Sequence, residues 1–198
     1  MDTKRIFDIL IATVGLVLLS PVLFLLWILV RSDSKGGVMY RQIRVGKNME
    51  DFHLYKFRTM YVHTEDQNLI TVGNHDARIT KIGYWLRKYK LDELPQLLNI
   101  LKGHMSFVGP RPEVRKYVNM YNDEQRKVLS VKPGITDWAS LAFFNEGELL
   151  ESVENPEEYY VQTVIPEKIS CNLKYITHHN VAIDLQIIWL TFKKIVVN

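Results

Sequence analysis

Two adjacent carboxylates ahead of a proline, Asp92-Glu93-Leu94-Pro95, are the residues of this chain best suited to chemistry. Asp92 reads as the N-cap of a helix over residues 92–101, with Pro95 tolerated in its first turn. Backbone N–H groups and the helix dipole at such a start favour the ionised carboxylate, which then serves as a nucleophile or as a ligand for a hard cation. Taken alone, the tetrapeptide more often marks an ordinary acidic helix start. Its catalytic meaning is that one acid attacks while its neighbour, Glu93, holds Mg²⁺, a cation that prefers oxygen. Basic residues surround it in sequence. Arg87 and Lys88 lie just upstream, Lys56 and Arg58 lie in an earlier segment, and Arg111 stands between Pro110 and Pro112, where a stiff backbone presents a fork-shaped donor suited to phosphate. The histidines carry no metal-ligand spacing, and His178-His179 read as surface residues. Cys171, the single cysteine, cannot form an internal disulfide. It reads as a small apolar residue in a reducing compartment.

The elements that must position these groups follow from periodicity. Residues 38–60 alternate and break at Gly46-Lys47-Asn48, which predicts a β-hairpin. The Gly-Lys pair lacks the rest of a phosphate-binding loop. Residues 61–76 are polar and read as a loop. Ile79, Ile82 and Leu86 form the stripe of a helix over 79–89, and Leu94, Leu97, Leu98 and Leu101 form that of the next helix, stopped by Gly103. Residues 106–109 predict a short strand, 113–131 a largely helical stretch, and Lys132-Pro133-Gly134 a turn. The acidic run 146–158 predicts a solvated excursion. Residues 183–197 predict an amphipathic helix whose Trp189, Phe192, Lys193 and Lys194 suit a membrane interface, although packing on the domain core explains the same pattern equally well.

Residues 9–30 contain no charged side chain, enough as a helix to cover a ~30 Å hydrocarbon core. The run is too long for a cleaved signal peptide and lacks a small-residue cleavage site. Its apolar character on every face opposes a buried core helix. Pro21 leaves the Val17 carbonyl without its helical donor, a loss the Ser20 hydroxyl can offset. A kinked spanning helix and a re-entrant helix–break–helix at Ser20-Pro21 explain this equally well. Lys4 and Arg5 before the run, and Arg31 and Lys35 after it, agree with both ends on the cytoplasmic side. The chain as a whole has 198 residues, is 47% hydrophobic and carries a net charge of +3, which excludes a disordered or polytopic protein and gives no footprint for nucleic acid. A mildly basic surface suits anionic headgroups or phosphorylated substrates.

Several segments in fixed order carry a resemblance: Lys4-Arg5-Ile6-Phe7-Asp8, Ser20-Pro21, Tyr55-Lys56-Phe57-Arg58-Thr59-Met60, Leu91-Asp92-Glu93-Leu94-Pro95-Gln96-Leu97, Met105-Ser106-Phe107-Val108-Gly109-Pro110-Arg111-Pro112 and Lys132-Pro133-Gly134-Ile135-Thr136. In these the chain resembles the bacterial sugar transferase family, specifically its small monotopic phosphoglycosyl transferases, over nearly its whole length. The resemblance implies an α+β fold: a re-entrant membrane anchor over residues 1–35, and a catalytic domain over 36–198 with a small hairpin and helices partly in the membrane interface, on the cytoplasmic face of the bacterial inner membrane. It implies Asp92 as nucleophile on the sugar-bearing phosphate of a UDP-sugar, with release of UMP, and Glu93 as the holder of Mg²⁺ with Asp92 as a second ligand. Lys56, Arg87 and Arg111 fall at positions near the phosphates. Polyprenol phosphate, undecaprenyl in bacteria, would then take the phosphosugar, the first membrane step of polysaccharide or glycoprotein glycan assembly. Membrane lipids are the remaining expected partner, nucleic acid is not one, and a homo-oligomer is left open. The chain departs from the family pattern at Asp137, where glycine is usual, at residues 140–144, at Asn172, where aspartate is common, and in an insertion over 145–166. Two rivals remain at this stage: a non-catalytic membrane adaptor for glycosyltransferases, which has no need of both acids and Arg111, and a lipid-diphosphate phosphohydrolase, distinguished by UMP release with and without acceptor.

Overall fold

A computed structural model describes residues 3–62 and 76–197. The predicted loop over 61–76 therefore lies largely outside the described residues.

Helix α1, Thr3–Asp33, is about 46 Å long at 1.5 Å per residue and is, among the described residues, the one helix long and apolar enough to cross a membrane. It runs unbroken through Pro21, so the expected break at Ser20-Pro21 is not a break in helical structure. The Ser20 hydroxyl donates to the Val17 carbonyl at 2.8 Å, the compensation that the missing proline N–H calls for. Leu10, Val14, Val17, Leu18, Phe24 and Leu25 are exposed, which removes the core-helix alternative. The buried residues of α1 fall near its two ends. Ala12 packs with Phe52, Leu54, Leu97, Ile100 and Met105, and Leu26 and Val30 pack with Val38, Phe57 and Leu86.

The hairpin forms as predicted. Strands β1 (Met39–Val45) and β2 (Asp51–Phe57) pair antiparallel, with Met39 opposite Phe57 and Val45 opposite Asp51, around a turn that places Asn48 at φ 55. Helix α2 (Lys81–Lys88) is capped twice, by the Thr80 hydroxyl on the Gly83 amide and by Asp33 on the Ile82 amide. Gly83 is required here: a Cβ would lie 2.1 Å from the Thr59 carbonyl. A short 3₁₀ turn, Leu91–Glu93, follows, and only then helix α3, Gln96–Leu101.

Strand β3 (Ser106–Val108) pairs in parallel with β4 (Gly134–Thr136). The second strand corrects the sequence reading, which saw only a turn at Lys132-Pro133-Gly134. Three residues give too short an alternation to register as a strand. Between them, the predicted helical stretch breaks into α4 (Arg115–Val118), α5 (Asp123–Arg126) and a 3₁₀ turn. Helix α6 (Trp138–Ala142) leads to α7 (Glu146–Glu151) and α8 (Pro156–Tyr159), a π-helical turn, then α9 (Ile165–His178) and α10 (Val181–Val197). The acidic run 146–158 is thus not a free excursion. Its Leu150 is buried in the main core with Val114, Tyr117, Val118, Tyr160, Val164 and Ile169, and its Glu146 pairs with Lys168. His178 and His179 are exposed, as expected, and Cys171 is half-buried. The last helix packs on the domain core through one face. Ile187 is buried against Val108 and Tyr175, whereas Trp189 and Phe192 stand exposed.

Candidate active site

Three elements converge on the acid pair. Asn99 on α3 accepts from the Tyr55 amide at 3.0 Å and donates to the His53 carbonyl at 2.7 Å, so the buried helix grips the β2 backbone one residue from Lys56. The Gly109 amide donates to the Thr136 carbonyl, and the Gly134 amide to the Pro110 carbonyl. Both glycines are required by this close approach. A Cβ on Gly134 would stand 2.2 Å from the Gly109 nitrogen. Immediately afterwards the chain turns through Pro110 and delivers Arg111, whose own amide donates to Asp137 at 3.2 Å. Asp137 is fully buried and also caps α6 through the Ser140 amide. The residue at the position where the family usually has glycine is thus a brace for Arg111.

Glu93 is held from two sides. Arg111 grips both of its oxygens through separate guanidinium nitrogens, Nη1 to Oε2 at 3.2 Å and Nη2 to Oε1, and Lys56 donates to Oε1 at 2.8 Å. Asp92 is held far less. Its Oδ2 lies 3.9 Å from Lys56, and its buried Oδ1 has no hydrogen-bond partner among the described residues. The expected N-cap role of Asp92 is corrected here. The residue sits inside the 3₁₀ turn and caps nothing, and Pro95 precedes α3 without a side-chain cap. The helix start therefore does not hold this carboxyl in its ionised form. Burial, together with the Glu93 charge, pushes the Asp92 carboxyl up, against the pull of Lys56, Lys90 and Arg87. Burial acts on Glu93 in the same direction, but Arg111 and Lys56 outweigh it and hold that carboxyl well below the usual range.

Arg87 is half-buried, and its charge acts on Asp92 and Glu93. Arg58 does not join the site. It is buried, and its guanidinium caps the C-terminal end of α1 through the carbonyls of Ser34 and Lys35. Lys90, which sequence reasoning passed over, precedes the turn at φ 55 and adds a cation facing both acids. Its position two residues before Asp92 was the available signal. Asp137 was also passed over as a brace, although Asp at the start of a helix is a recognisable cap.

A cavity of about 1130 Å³ opens here. Glu93, Arg87, Lys90 and Arg111 lie on its wall, whereas Asp92 and Lys56 do not. The apolar residues Ile11, Gly15 and Leu19 of α1 and Ile188 and Phe192 of α10 also line it, as do Lys168 and Asn172 of α9. Glu93, the cations Arg87, Lys90 and Arg111, and a set of apolar side chains on one cavity wall suit a substrate that is anionic at one end and hydrocarbon at the other. Matching the chain to known families pairs residues 1–198, its full length, with bacterial sugar transferase.

The chain belongs to the bacterial sugar transferase family.

Within this family of sugar transferases, it is 36% identical over 206 residues to a UDP-glucose:undecaprenyl-phosphate glucose-1-phosphate transferase of Klebsiella pneumoniae, a match covering 100% of the chain and 41% of that protein. It is 41% identical over 141 residues to a UDP-N-acetylgalactosamine-undecaprenyl-phosphate N-acetylgalactosaminephosphotransferase of Aeromonas hydrophila, covering 70% of the chain and 33% of that protein. The chain thus spans well under half the length of these two relatives. An uncharacterized sugar transferase of Bacillus subtilis, EpsL, is 35% identical over 199 residues, covering 100% of the chain and 89% of that protein.

Proposed function

We propose that this chain transfers a phosphosugar from a UDP-sugar to undecaprenyl phosphate and releases UMP, by way of a phosphosugar carried on Asp92. The observation that carries the reading is the unequal state of the two acids. Glu93 is saturated by Arg111 and Lys56, and Asp92 keeps a buried oxygen that nothing among the described residues satisfies. Two relatives whose names give this reaction with different sugars support the reaction class and leave the sugar open.

In the first half-reaction an Asp92 oxygen attacks the sugar-bearing phosphorus. The bond from that phosphorus to the bridging oxygen breaks, and UMP leaves with that oxygen and its electron pair. In the second, an oxygen of undecaprenyl phosphate attacks the same phosphorus, the bond to Asp92 breaks, and the carboxylate is restored. Splitting the transfer in this way replaces one hard displacement with two easier ones. The diphosphate that enters competes with Glu93 for Arg111 and Lys56. These cations serve the phosphates, with Arg87, once drawn from Glu93, and the acids behind them open toward the cavity. Mg²⁺ fits this arrangement: Asp92 has an oxygen to spare, Glu93 gains one when its cations leave, and a hard cation with few protein ligands is completed by water and phosphate. When bound between these residues it would offset charge on the diphosphate.

The same reading makes α1 a re-entrant anchor with the domain on the cytoplasmic face of the membrane. In support, both ends of α1 are tied to one body. Lys4 pairs with Asp184 on α10, Arg5 donates to the Ile100 and Leu101 carbonyls on α3, and Asp8 accepts from Ser106 and Phe107 on β3. Asp33 and the carbonyls just beyond it are tied to α2 and Arg58. A straight span would carry the Lys4 end across the hydrocarbon core, away from the groups it binds. The exposed Trp189 and Phe192 of α10 suit the interface plane.

The test is intact-protein mass spectrometry after incubation with UDP-glucose or UDP-N-acetylgalactosamine and Mg²⁺, without acceptor. One donor should release about one UMP per active site and add one phosphosugar to the protein. If UMP appears only on adding undecaprenyl phosphate, and no adduct forms, the covalent step is wrong.

A further inference from the structure

Among the described residues on the cavity wall, two side chains carry a buried atom with no hydrogen-bond partner, Arg44 at Nε and Asn172 at its carboxamide oxygen. Arg44 is otherwise engaged, with its terminal nitrogens on Glu113 and Gln42. Lys168 pairs with Glu146, and its ammonium lies 5.2 Å from the Tyr160 ring centre. Tyr160 donates to Glu113, the Thr136 and Thr191 hydroxyls bond each other at 2.7 Å, and Asp137 is taken by the Arg111 and Ser140 amides. Asn172 lines the same wall, is 5% exposed, and its carboxamide oxygen has no partner among the described residues. Gln96, the other side-chain amide with an orphaned buried atom, is not on the wall.

Such an arrangement costs stability in the free protein, because a buried amide oxygen forgoes water without a replacement. It is what a recognition position looks like before its ligand arrives. Rotation about the terminal torsion of Asn is broad, so either amide atom can turn toward the cavity. The charges of UDP-glucose and UDP-N-acetylgalactosamine are confined to the diphosphate, for which Arg111, Lys56 and Arg87 are the cations. The part of either donor left to meet Asn172 is therefore neutral. A neutral group that donates and accepts at once matches a carboxamide and gives nothing to a lysine already neutralised by Glu146.

We propose that Asn172 is a donor-recognition residue, hydrogen-bonding a neutral donor-and-acceptor group of the UDP-sugar, either the imide edge of uracil or a hydroxyl or acetamido group of the sugar. This rests on the reading of the cavity as a UDP-sugar site, but not on the covalent step. The experiment therefore measures equilibrium binding of UDP-glucose, UDP-N-acetylgalactosamine and UMP to the full chain carrying Asp92→Asn, which cannot turn over. Asn172→Leu is compared with Asn172 in that background, and Asn172→Ala serves as the second variant should leucine not fold. The preferred donor should bind about tenfold more weakly to either variant, the loss expected for one neutral hydrogen bond. In the otherwise unmodified chain the donor KM should rise more than kcat falls. Asn172→Leu should also melt no lower than its parent, because no buried amide is left unpaired.

UMP separates the two sources. If it weakens in parallel, the group read is uracil. If only the UDP-sugar weakens, the group is on the sugar. Unchanged affinity for all three ligands overturns the proposal, and a lowered melting temperature alongside unchanged affinity makes Asn172 a packing residue. A parent enzyme that forms no phosphosugar adduct would sink the covalent mechanism and leave this binding comparison standing.

Discussion

Two buried polar clusters divide this molecule between them, and they are built on opposite plans. At the N-terminal clamp, Asp184 accepts from Tyr175 at 2.5 Å on one oxygen and from Lys4 on the other. Tyr175 also reaches the Val108 carbonyl, and Asp8 takes Ser106 and Phe107. None of these side chains has a buried atom without a partner. At the acid pair, Glu93 is equally well held, but Asp92 beside it, 7% exposed, keeps a buried oxygen with no partner among the described residues. A satisfied buried network ties elements together. A network one bond short retains unspent bonding capacity for something that is not yet there. The contrast also separates two carboxylates adjacent in sequence, since Glu93 resembles the clamp and Asp92 does not.

The comparison breaks most visibly if Asp92→Asn retains activity. The donor-only release of UMP should fall by more than about a thousandfold, because an amide cannot form the acyl phosphate. Stability should move the other way. A carboxyl whose pKa is raised on folding contributes stability that is present at low pH and lost as pH rises through its folded value, so at neutral pH the Asp92 carboxylate is a liability to the fold. Asp92→Asn should melt at or above the temperature of its parent. Calorimetry beside the burst assay checks both, and a variant that is inactive because it is unfolded would refute the assignment of roles.

The mirror experiment is Asp184→Asn. Lys4 loses its counter-charge in a site where Asp184 is 1% exposed, and the expected cost is about 2–3 kcal/mol of stability. For a chain of this size that is a fall of roughly 5–10 °C in Tm. UMP release per folded molecule should stay within about threefold. A large loss of turnover with unchanged Tm would show that the clamp is part of the chemistry. A smaller effect is expected at Arg111. Arg111→Lys keeps the charge but removes the two-pronged grip on Glu93 and on any phosphate that replaces it. The burst rate should drop on the order of ten- to a hundredfold with Tm nearly unchanged. Full activity in the lysine variant would reduce Arg111 to a point charge.

How legible this was in the sequence depends on the range of the interaction. The hairpin, α2, α3 and α10 were readable because period and turn residues are local. The acid pair, Arg111 between prolines, and Ser20 compensating for Pro21 were readable for the same reason. Strand β4 was not, since three residues pair only because Gly109 and Gly134 allow two chain segments distant in sequence to touch. Arg58 was grouped with the site residues because it shares a strand end with Lys56, yet it points to the opposite task at α1. Asn172 could be seen only as a departure from a pattern. That its oxygen lacks a partner is a property of everything packed around it.

The subtlest difference between the acids is in their titration, and it gives the finest test. The attacking form of Asp92 is the carboxylate. Burial raises its pKa above the ordinary 3.8, so the first half-reaction should lose rate as pH falls through that raised value, at a higher pH than an exposed aspartate would impose. Two neighbours should move this acid limb in opposite directions. Lys56 is the strongest influence holding the pKa down, so Lys56→Met should shift the limb to higher pH. Glu93 is a like charge pushing it up, so Glu93→Gln should shift the limb to lower pH, and it should also weaken the dependence on Mg²⁺. Single-turnover UMP release at saturating donor separates these shifts from weaker binding, and a melting curve at each pH excludes acid unfolding as their source. If both substitutions moved the limb the same way, the titrating group would not be the aspartate between that lysine and that glutamate. If neither moved it, the limb would belong to the donor phosphates, and the pKa of Asp92 would have no bearing on the rate.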